Sequence, residues 1–254
     1  MKKISNIKQI DSNKFAVIID NKKHIILGDV LLEYNILKPC EIDDLVYNKI
    51  TASNDFYTIY SKIVKFILAK LRTEKEIINK LYKLNAPKSM HQKIITKLKE
   101  DGYLNDEKYI TSYINDQVNL TLNGPKKIKY ELLKLSLKED LINKYLNTFN
   151  ENIWEEKVDK IIRKKIKSNH NLSKNKFLLK LKNDLNNLGY EEKYFIDKLN
   201  KIDFDDEEGL IKDYNKYYIK YSKYDEAKRD YMIKQKLYQL GYNLDKIDKL
   251  KRDI

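Results

Sequence analysis

From residue 56 onward the apolar positions return at helical spacing. Phe56, Ile59, Tyr60, Ile63 and Ile67 fall at i, i+3, i+4, i+7 and i+11, which lines one face of a helix. One signature then recurs four times: Leu81-x-x-Leu84-Asn85-Ala86, Leu132-x-x-Leu135-Ser136-Leu137, Leu185-x-x-Leu188-Gly189-Tyr190 and Leu237-x-x-Leu240-Gly241-Tyr242. Its second leucines stand 51, 53 and 52 residues apart, the mark of an internal repeat. Two leucines one turn apart bury a helix end. The Gly, Asn or Ser behind them sits where the chain leaves the helix, and Gly189 and Gly241 suit a left-handed exit without steric cost. Ser136 suits it less well, and Ser136-Leu137-Lys138-Glu139 reads instead as a capping box for the helix that follows.

Start signals divide each repeat into three helices. Thr73-Glu74-Lys75-Glu76 is a capping box, Asn105-Asp106 caps a further helix, and Gly124-Pro125 puts proline at a first helical position. The predicted repeats span 56–105, 106–150, 151–202 and 203–254. Three-helix units in series imply a solenoid-like, elongated rod in which neighbours complete each other's core. Before residue 56 the pattern is different. Ile4 to Ile10, Phe15 to Ile19 and His24 to Leu27 are rich in Ile, Val and Phe, with Asp11-Ser12-Asn13 and Asp20-Asn21-Lys22 as turns between them. Residues 1–55 therefore read as a β-meander with two short helices, around Val30-Leu31-Tyr34 and Ile42-Leu45-Val46, either side of Pro39. The expected fold class is mainly α, with tandem three-helix repeats behind a small α/β module.

Composition agrees: 6 glycines and 3 prolines in 254 residues are few for an all-β chain of many turns. Cys40 is alone, which excludes an intrachain disulfide, and His24, His91 and His170 show no ligand spacing with it. Residues 5–11 are no apolar signal core, and no apolar run has membrane-spanning length, so a cytoplasmic protein is expected.

Charge narrows the function. The net charge is +13, and 47 of the 51 bases are lysine. Lysines in this number suit phosphates or an acidic protein surface, and AT-rich codons would enrich them equally. Their placement is uneven. Residues 1–55 carry 8 bases and 8 acids, residues 56–105 carry 11 and 4, and residues 151–200 carry 12 and 8. Clusters fall at Lys70 and Arg72, at Lys126, Lys127 and Lys129, and at Arg163, Lys164, Lys165 and Lys167. Each fits a partner-binding surface or a solvated helix face. Tyr214, Tyr217, Tyr218, Tyr221 and Tyr224 alternate with lysines as base-stacking residues do, but helical spacing favours a core for the first four. Asp203, Asp205, Asp206, Glu207 and Glu208 suit a helix start better than a cation site. No glycine-rich phosphate loop and no Ser/His/Asp set is present, so no enzyme, cofactor or metal is expected.

Three ordered motifs carry a resemblance. Arg72-Thr73-Glu74-Lys75-Glu76, then Gly102-Tyr103-Leu104-Asn105-Asp106-Glu107-Lys108-Tyr109, then Gly124-Pro125-Lys126-Lys127-Ile128-Lys129-Tyr130-Glu131-Leu132 resemble the RecX family, regulators of the bacterial recombinase RecA. The likeness extends over essentially the whole chain. It departs where the family usually has Gly and this chain has Asn85 and Ser136, and where Lys127 replaces a preferred Arg. The resemblance implies a non-enzymatic protein that binds the RecA–DNA filament and mainly inhibits its ATPase, strand exchange and extension, in control of recombination, DNA repair and the SOS response. It implies the RecA filament on single-stranded DNA as partner, bound by a monomer without a membrane partner, and leaves direct DNA contact open. The alternative reading is a DNA-binding protein acting independently of RecA through the same lysines.

Overall fold

The computed structural model describes residues 1–169, 172–203 and 205–253. It is 65% helical with a four-stranded antiparallel sheet, and 13 α-helices occur among the described residues. Two compact units divide the chain, Met1–Tyr109 and Ile110–Ile254.

The first unit opens with β1 (Lys2–Asp11), β2 (Lys14–Ile19) and β3 (Lys22–Leu27), the expected meander. Asp20 and Asn21, at φ 46° and 65°, form the two-residue link between β2 and β3, a turn type that asks for positive φ at both centres. After α1 (Gly28–Glu33) the chain adds β4 (Cys40–Ile42) beside β1, in the order β3-β2-β1-β4. This fourth strand is a feature that the sequence pattern did not predict; three residues, with only Ile42 buried, are too few to show alternation. Ile4, Val17, Ile19, Ile26, Val30, Leu31 and Ile50 pack into one core.

Instead of a short helix ending before residue 56, α2 runs unbroken from Asp44 to Leu68. The reason is plain in the residues: neither Gly nor Pro interrupts 44–68, and Asp43 caps the start by accepting from Val46 N at 2.6 Å. Its first half packs Ile50 against the sheet. Its second half packs Tyr60, Ile63 and Ile67 against α3 (Glu74–Lys83) and α4 (Lys88–Glu100), around Ile77, Leu81, Ile94, Ile95 and Leu98. One helix thus serves two cores.

Helix α5 (Asp106–Leu120) carries the chain into the second unit, where α6 (Pro125–Lys134), α7 (Glu139–Leu146), α8 (Glu151–Lys167) and α9 (Lys174–Asn187) follow. A 3-10 turn (Glu192–Tyr194), α10 (Ile196–Asn200), α11 (Glu207–Lys220), α12 (Glu226–Gln239) and α13 (Leu244–Asp253) complete it. The closing helix that Ile196 and Leu199 suggested is only five residues long, since Phe195, buried with φ −138°, breaks it from the turn before.

Leu81, Leu132, Leu185 and Leu237 are each fully buried. Asn85, Gly189 and Gly241 have φ of 54°, 85° and 87°, and behind them Ala86, Tyr190 and Tyr242 N–H groups donate to Leu81, Leu185 and Leu237 carbonyls. That is a Schellman exit, repeated. Ser136 is left-handed too, at φ 63°, with its N–H donating to Leu133 O (2.9 Å), so it does not cap α7; Lys138 occupies the cap position without a side-chain bond. A left-handed serine is strained where glycine is not. Ser136→Gly should therefore raise stability by about 0.5–1 kcal/mol, read as a higher urea midpoint; a lower midpoint would mean the serine side chain contributes more than its backbone costs.

Candidate interaction surface

Middle helices of the second unit are joined end to end. Gly124 N and Lys126 N, in the first turn of α6, donate to the carbonyls of Leu188 (2.7 Å) and Gly189 (3.1 Å) at the end of α9. The Tyr190 hydroxyl donates to Leu122 O at 3.0 Å, and burial pushes that phenol up to about 12. At the next junction the Ser173 hydroxyl, at the start of α9, donates to Leu240 O at the end of α12 (2.6 Å). At the first junction orphan N–H donors of one helix meet orphan carbonyls of another, and at the second a side-chain hydroxyl makes the contact, each time positive dipole end to negative. These contacts explain Gly124: a Cβ there would lie 2.7 Å from the Gly189 carbonyl carbon and oxygen. Asp225 starts α12 differently, its carboxylate accepting from Lys228 N (3.0 Å) in its own helix.

The nine basic residues expected to meet a partner separate into groups. In the first unit Lys70 is exposed just after α2. Arg72 is engaged: its guanidinium lies 4.0 Å from the Phe66 ring centre and its Nη1 donates to Glu76 Oε1 at 3.0 Å. Glu76 in turn accepts from Thr73 N (2.9 Å), closing the predicted capping box at the start of α3. Partial burial pushes the Glu76 carboxyl up, but hydrogen bonds from Thr73 N–H, Arg72 and the Thr73 hydroxyl outweigh it and hold the group below the usual glutamate value.

A pH test follows. The stability contributed by Glu76 is fully present above the ordinary value of 4.5 and is lost as pH falls through the depressed folded value. Wild type should therefore exceed Glu76→Gln in urea midpoint near neutrality, and the gap should narrow on acidification below about pH 4. A gap independent of pH would show the ionised form is not what is held.

In the second unit Lys126 is exposed, and half-buried Lys127 lies over Gly189, whose absent Cβ would fall 2.4 Å from Lys127 N. Lys129 pairs with Glu139 at 2.6 Å. Lys126 and Lys129 share a groove of about 470 Å³ with Pro125, Trp154, Lys193 and Tyr194. On α8, Arg163, Lys164 and Lys167 are exposed in the last turns, where bases also suit the helix dipole, while Lys165 pairs with Asp184 at 2.6 Å. Among the described residues Lys70, Lys126, Lys127, Arg163, Lys164 and Lys167 have no ion-pair partner. A lysine outside these clusters is structural: half-buried Lys157 donates to Thr121 O (2.9 Å) at the end of α5, and burial lowers its pKa.

The remaining sequence candidates are accounted for. Tyr214 and Tyr217 are buried and Tyr221 packs against their cluster, but Tyr218, expected in the core, is exposed, with the Arg229 guanidinium 4.4 Å from its ring centre; Tyr224 is half-buried, with Lys223 and Lys228 over its ring. The acidic run leads into α11, whose first two residues are Glu207 and Glu208, but Asp206 does more than start a helix. Nearly buried, it accepts from Lys174 N in the first turn of α9 (2.8 Å) and from Lys246 Nζ of α13 (2.5 Å), and it holds that ammonium above the ordinary lysine value. His24 packs edge-on against Tyr47, His91 meets Ala86 O at 3.1 Å, and His170 lies outside the described residues. Among the described residues no group of three or more His, Cys, Asp or Glu side chains is placed to hold a metal, and no helix is long and apolar enough to cross a membrane.

The chain has relatives among known proteins. The sequence is 30% identical over 224 residues to regulatory protein RecX of Bacillus mycoides, spanning 86% of this chain and 83% of that one. The chain belongs to the RecX family. Regulatory protein RecX of Bacillus cereus is similar at 30% identity over 225 residues, and that of Bacillus cytotoxicus at 28% over 224. No protein-family model matches the chain. A crystal structure of a regulatory protein RecX shares the fold, with TM-score 0.70 at 23% identity over 77% of this chain and 97% of that one. The chain is thus a mainly helical regulatory protein of the RecX family, and the Gly-Pro and Thr-x-x-Glu motifs that carried the resemblance act in this structure as a helix junction and a cap.

Proposed function

We propose that this protein acts in the cytoplasm as a monomer, binding the RecA filament on single-stranded DNA and restraining its ATP hydrolysis, strand exchange and extension. Through that restraint it limits recombination, DNA repair and the SOS response. The observation that carries this reading is membership of the RecX family, at 30% identity over 86% of the chain. Bases without ion-pair partners give it contact residues: Lys70, Lys126, Lys127, Arg163, Lys164 and Lys167. Arg72, Lys129 and Lys165 hold carboxylates of their own chain, and so contribute to the fold before they contribute to a partner.

The test is direct. Titrated into RecA filaments on single-stranded DNA, the purified protein should lower the DNA-dependent ATPase and shorten the filaments. Unchanged ATPase and length at a few-fold excess over protomers would refute the reading. Salt titration separates it from DNA binding without RecA. Contacts to single-strand phosphates alone weaken with a log–log slope of about −0.7 per phosphate whether RecA is present or not. Filament recognition retains a RecA-dependent part at high salt.

A further inference from the structure

The middle helices carry a stripe of exposed apolar side chains that no internal packing requires. Counted from the buried leucine of each helix (Leu132, Leu185, Leu237), positions −6, −2 and +1 are spaced i, i+4, i+7 and share one side of the helix, away from the buried leucine. Every large hydrophobic exposed on α6, α9 and α12 falls on these positions: Tyr130 (57% exposed) and Leu133 on α6, Leu179 (62%) on α9, Tyr231 and Tyr238 (60%) on α12. In the first unit Tyr82, at +1 from Leu81 on α3, is exposed in the same register.

The polar members of the stripe in the second unit are Lys126, Asn183, Asn186 and Gln235, all exposed, with no carboxylate among them in a chain holding 38 acids. Their surroundings are basic. The three helices α6, α9 and α12 together hold 12 bases against 4 acids, and Lys129, Lys134, Lys174, Lys182 and Lys234 among these bases pair with carboxylates of this chain, leaving the other seven to set the sign. A solvated helix face in so charged a protein would carry both signs and spare its tyrosines. Here the apolar and neutral positions form a line, with lysines beside it. The bonds from Gly124 and Ser173 bring the start of α6 to the end of α9 and the start of α9 to the end of α12, so the stripe passes from helix to helix.

We propose that this stripe is the protein-contacting face, and that its partner is an acidic protein surface with apolar side chains, offered repeatedly by successive protomers of the filament; this rests on the function proposed above. The excess of bases on the three helices, and the lack of any carboxylate on the stripe itself, make an acidic partner the complementary one. The leucines argue for protein over bases, because Leu133 and Leu179 have no ring with which to stack, whereas tyrosine set among aliphatic contacts is what protein interfaces concentrate. Arg163, Lys164 and Lys167 of α8 lie outside the stripe.

The triple variant Tyr130→Ser, Leu179→Ser, Tyr238→Ser tests it, with Leu120→Ser and Ile219→Ser as controls at least as exposed but off the stripe. Folding is checked by circular dichroism and thermal melting. The triple variant should bind RecA filaments on the order of 100-fold more weakly, as expected when several interface anchors are lost, while binding naked single-stranded DNA as wild type does. Both controls should match wild type. Wild-type filament affinity in a folded triple variant overturns the stripe and leaves the proposed function standing. Equal loss on naked DNA overturns the protein partner in favour of nucleic acid. Wild-type protein that binds no filament overturns both readings. Should the triple variant not fold, Lys126→Glu with Asn183→Glu reads the same surface by placing two carboxylates on it: a loss confined to filament binding is expected, and unchanged filament binding refutes it.

Discussion

Gly189→Ala should lower the stability of the second unit by about 3 kcal/mol, which for a domain of this size lowers the melting temperature by roughly 6–12 °C. Two costs combine. A side chain at φ 85° carries strain of about 1 kcal/mol. The larger part comes from the junction: the new Cβ would lie 2.4 Å from Lys127 N, 2.5 Å from Lys127 Cβ and 2.9 Å from its Cα. Backbone does not swing aside as a side-chain tip does. The start of α6 must lift, and the bonds from Gly124 N and Lys126 N go with it, at about 1 kcal/mol each. Two other glycines calibrate the figure. Gly102 also has positive φ but nothing within 4 Å of its missing Cβ, so Gly102→Ala should lose only about 1 kcal/mol. Gly241 would meet the Ser173 hydroxyl at 2.8 Å, a movable group, so its alanine variant should fall between. Equal losses at Gly189 and Gly102, measured by urea melts, would mean the junction contributes nothing.

Asp206→Ala should cost a similar amount, about 2–4 kcal/mol. The carboxylate is 3% exposed and holds three elements: it stands at the start of α11, accepts from the first turn of α9, and pairs with Lys246 of α13. Removing it leaves the Lys174 N–H without its acceptor and the ammonium without its counter-charge. Lys246 keeps 44% of its side chain exposed and recovers part of its hydration, which keeps the loss below that of a fully buried pair. Asp206→Asn retains an acceptor for Lys174 N and should lose about half as much. A double-mutant cycle with Lys246→Met isolates the pair and should show coupling of about 1–2 kcal/mol. Coupling near zero would assign the whole effect to the backbone bond.

How much of this was readable beforehand depended on range. Features set by neighbours along the chain were legible: the leucine pairs with their left-handed exits, the Thr73–Glu76 box, proline at the start of α6. Features set by partners far along the chain were not. Nothing near Gly124 announces that it rests on Gly189, and 68 residues separate Tyr190 from the carbonyl it meets. Cys40–Ile42 is a strand only because β1 lies beside it. Ser136 misled because its local pattern fits a cap while the helix before it has no other exit. The candidate surface divides in the same way. The positions of the bases were plain, and the Arg72–Glu76 pair stands at a readable i, i+4 spacing. That Lys165 is taken by Asp184, 19 residues on, was not. The stripe itself was within reach, since its positions keep fixed steps from each buried leucine, but only burial distinguishes an exposed tyrosine from a core one.

Asp225 has a consequence for the ends of the series. Gly124 offers its backbone N–H and Ser173 its hydroxyl to the carbonyls that close another middle helix; the Asp225 carboxylate has no hydrogen to offer, accepts from Lys228 N of its own helix, and repels a carbonyl. Helix α12 therefore begins with a side chain that cannot make the contact Ser173 makes at the start of α9. Repeats that stack in one direction are always open to further stacking, and a copy of the chain is the commonest thing available to stack. A carboxylate at that position disfavours end-on stacking through the side chain.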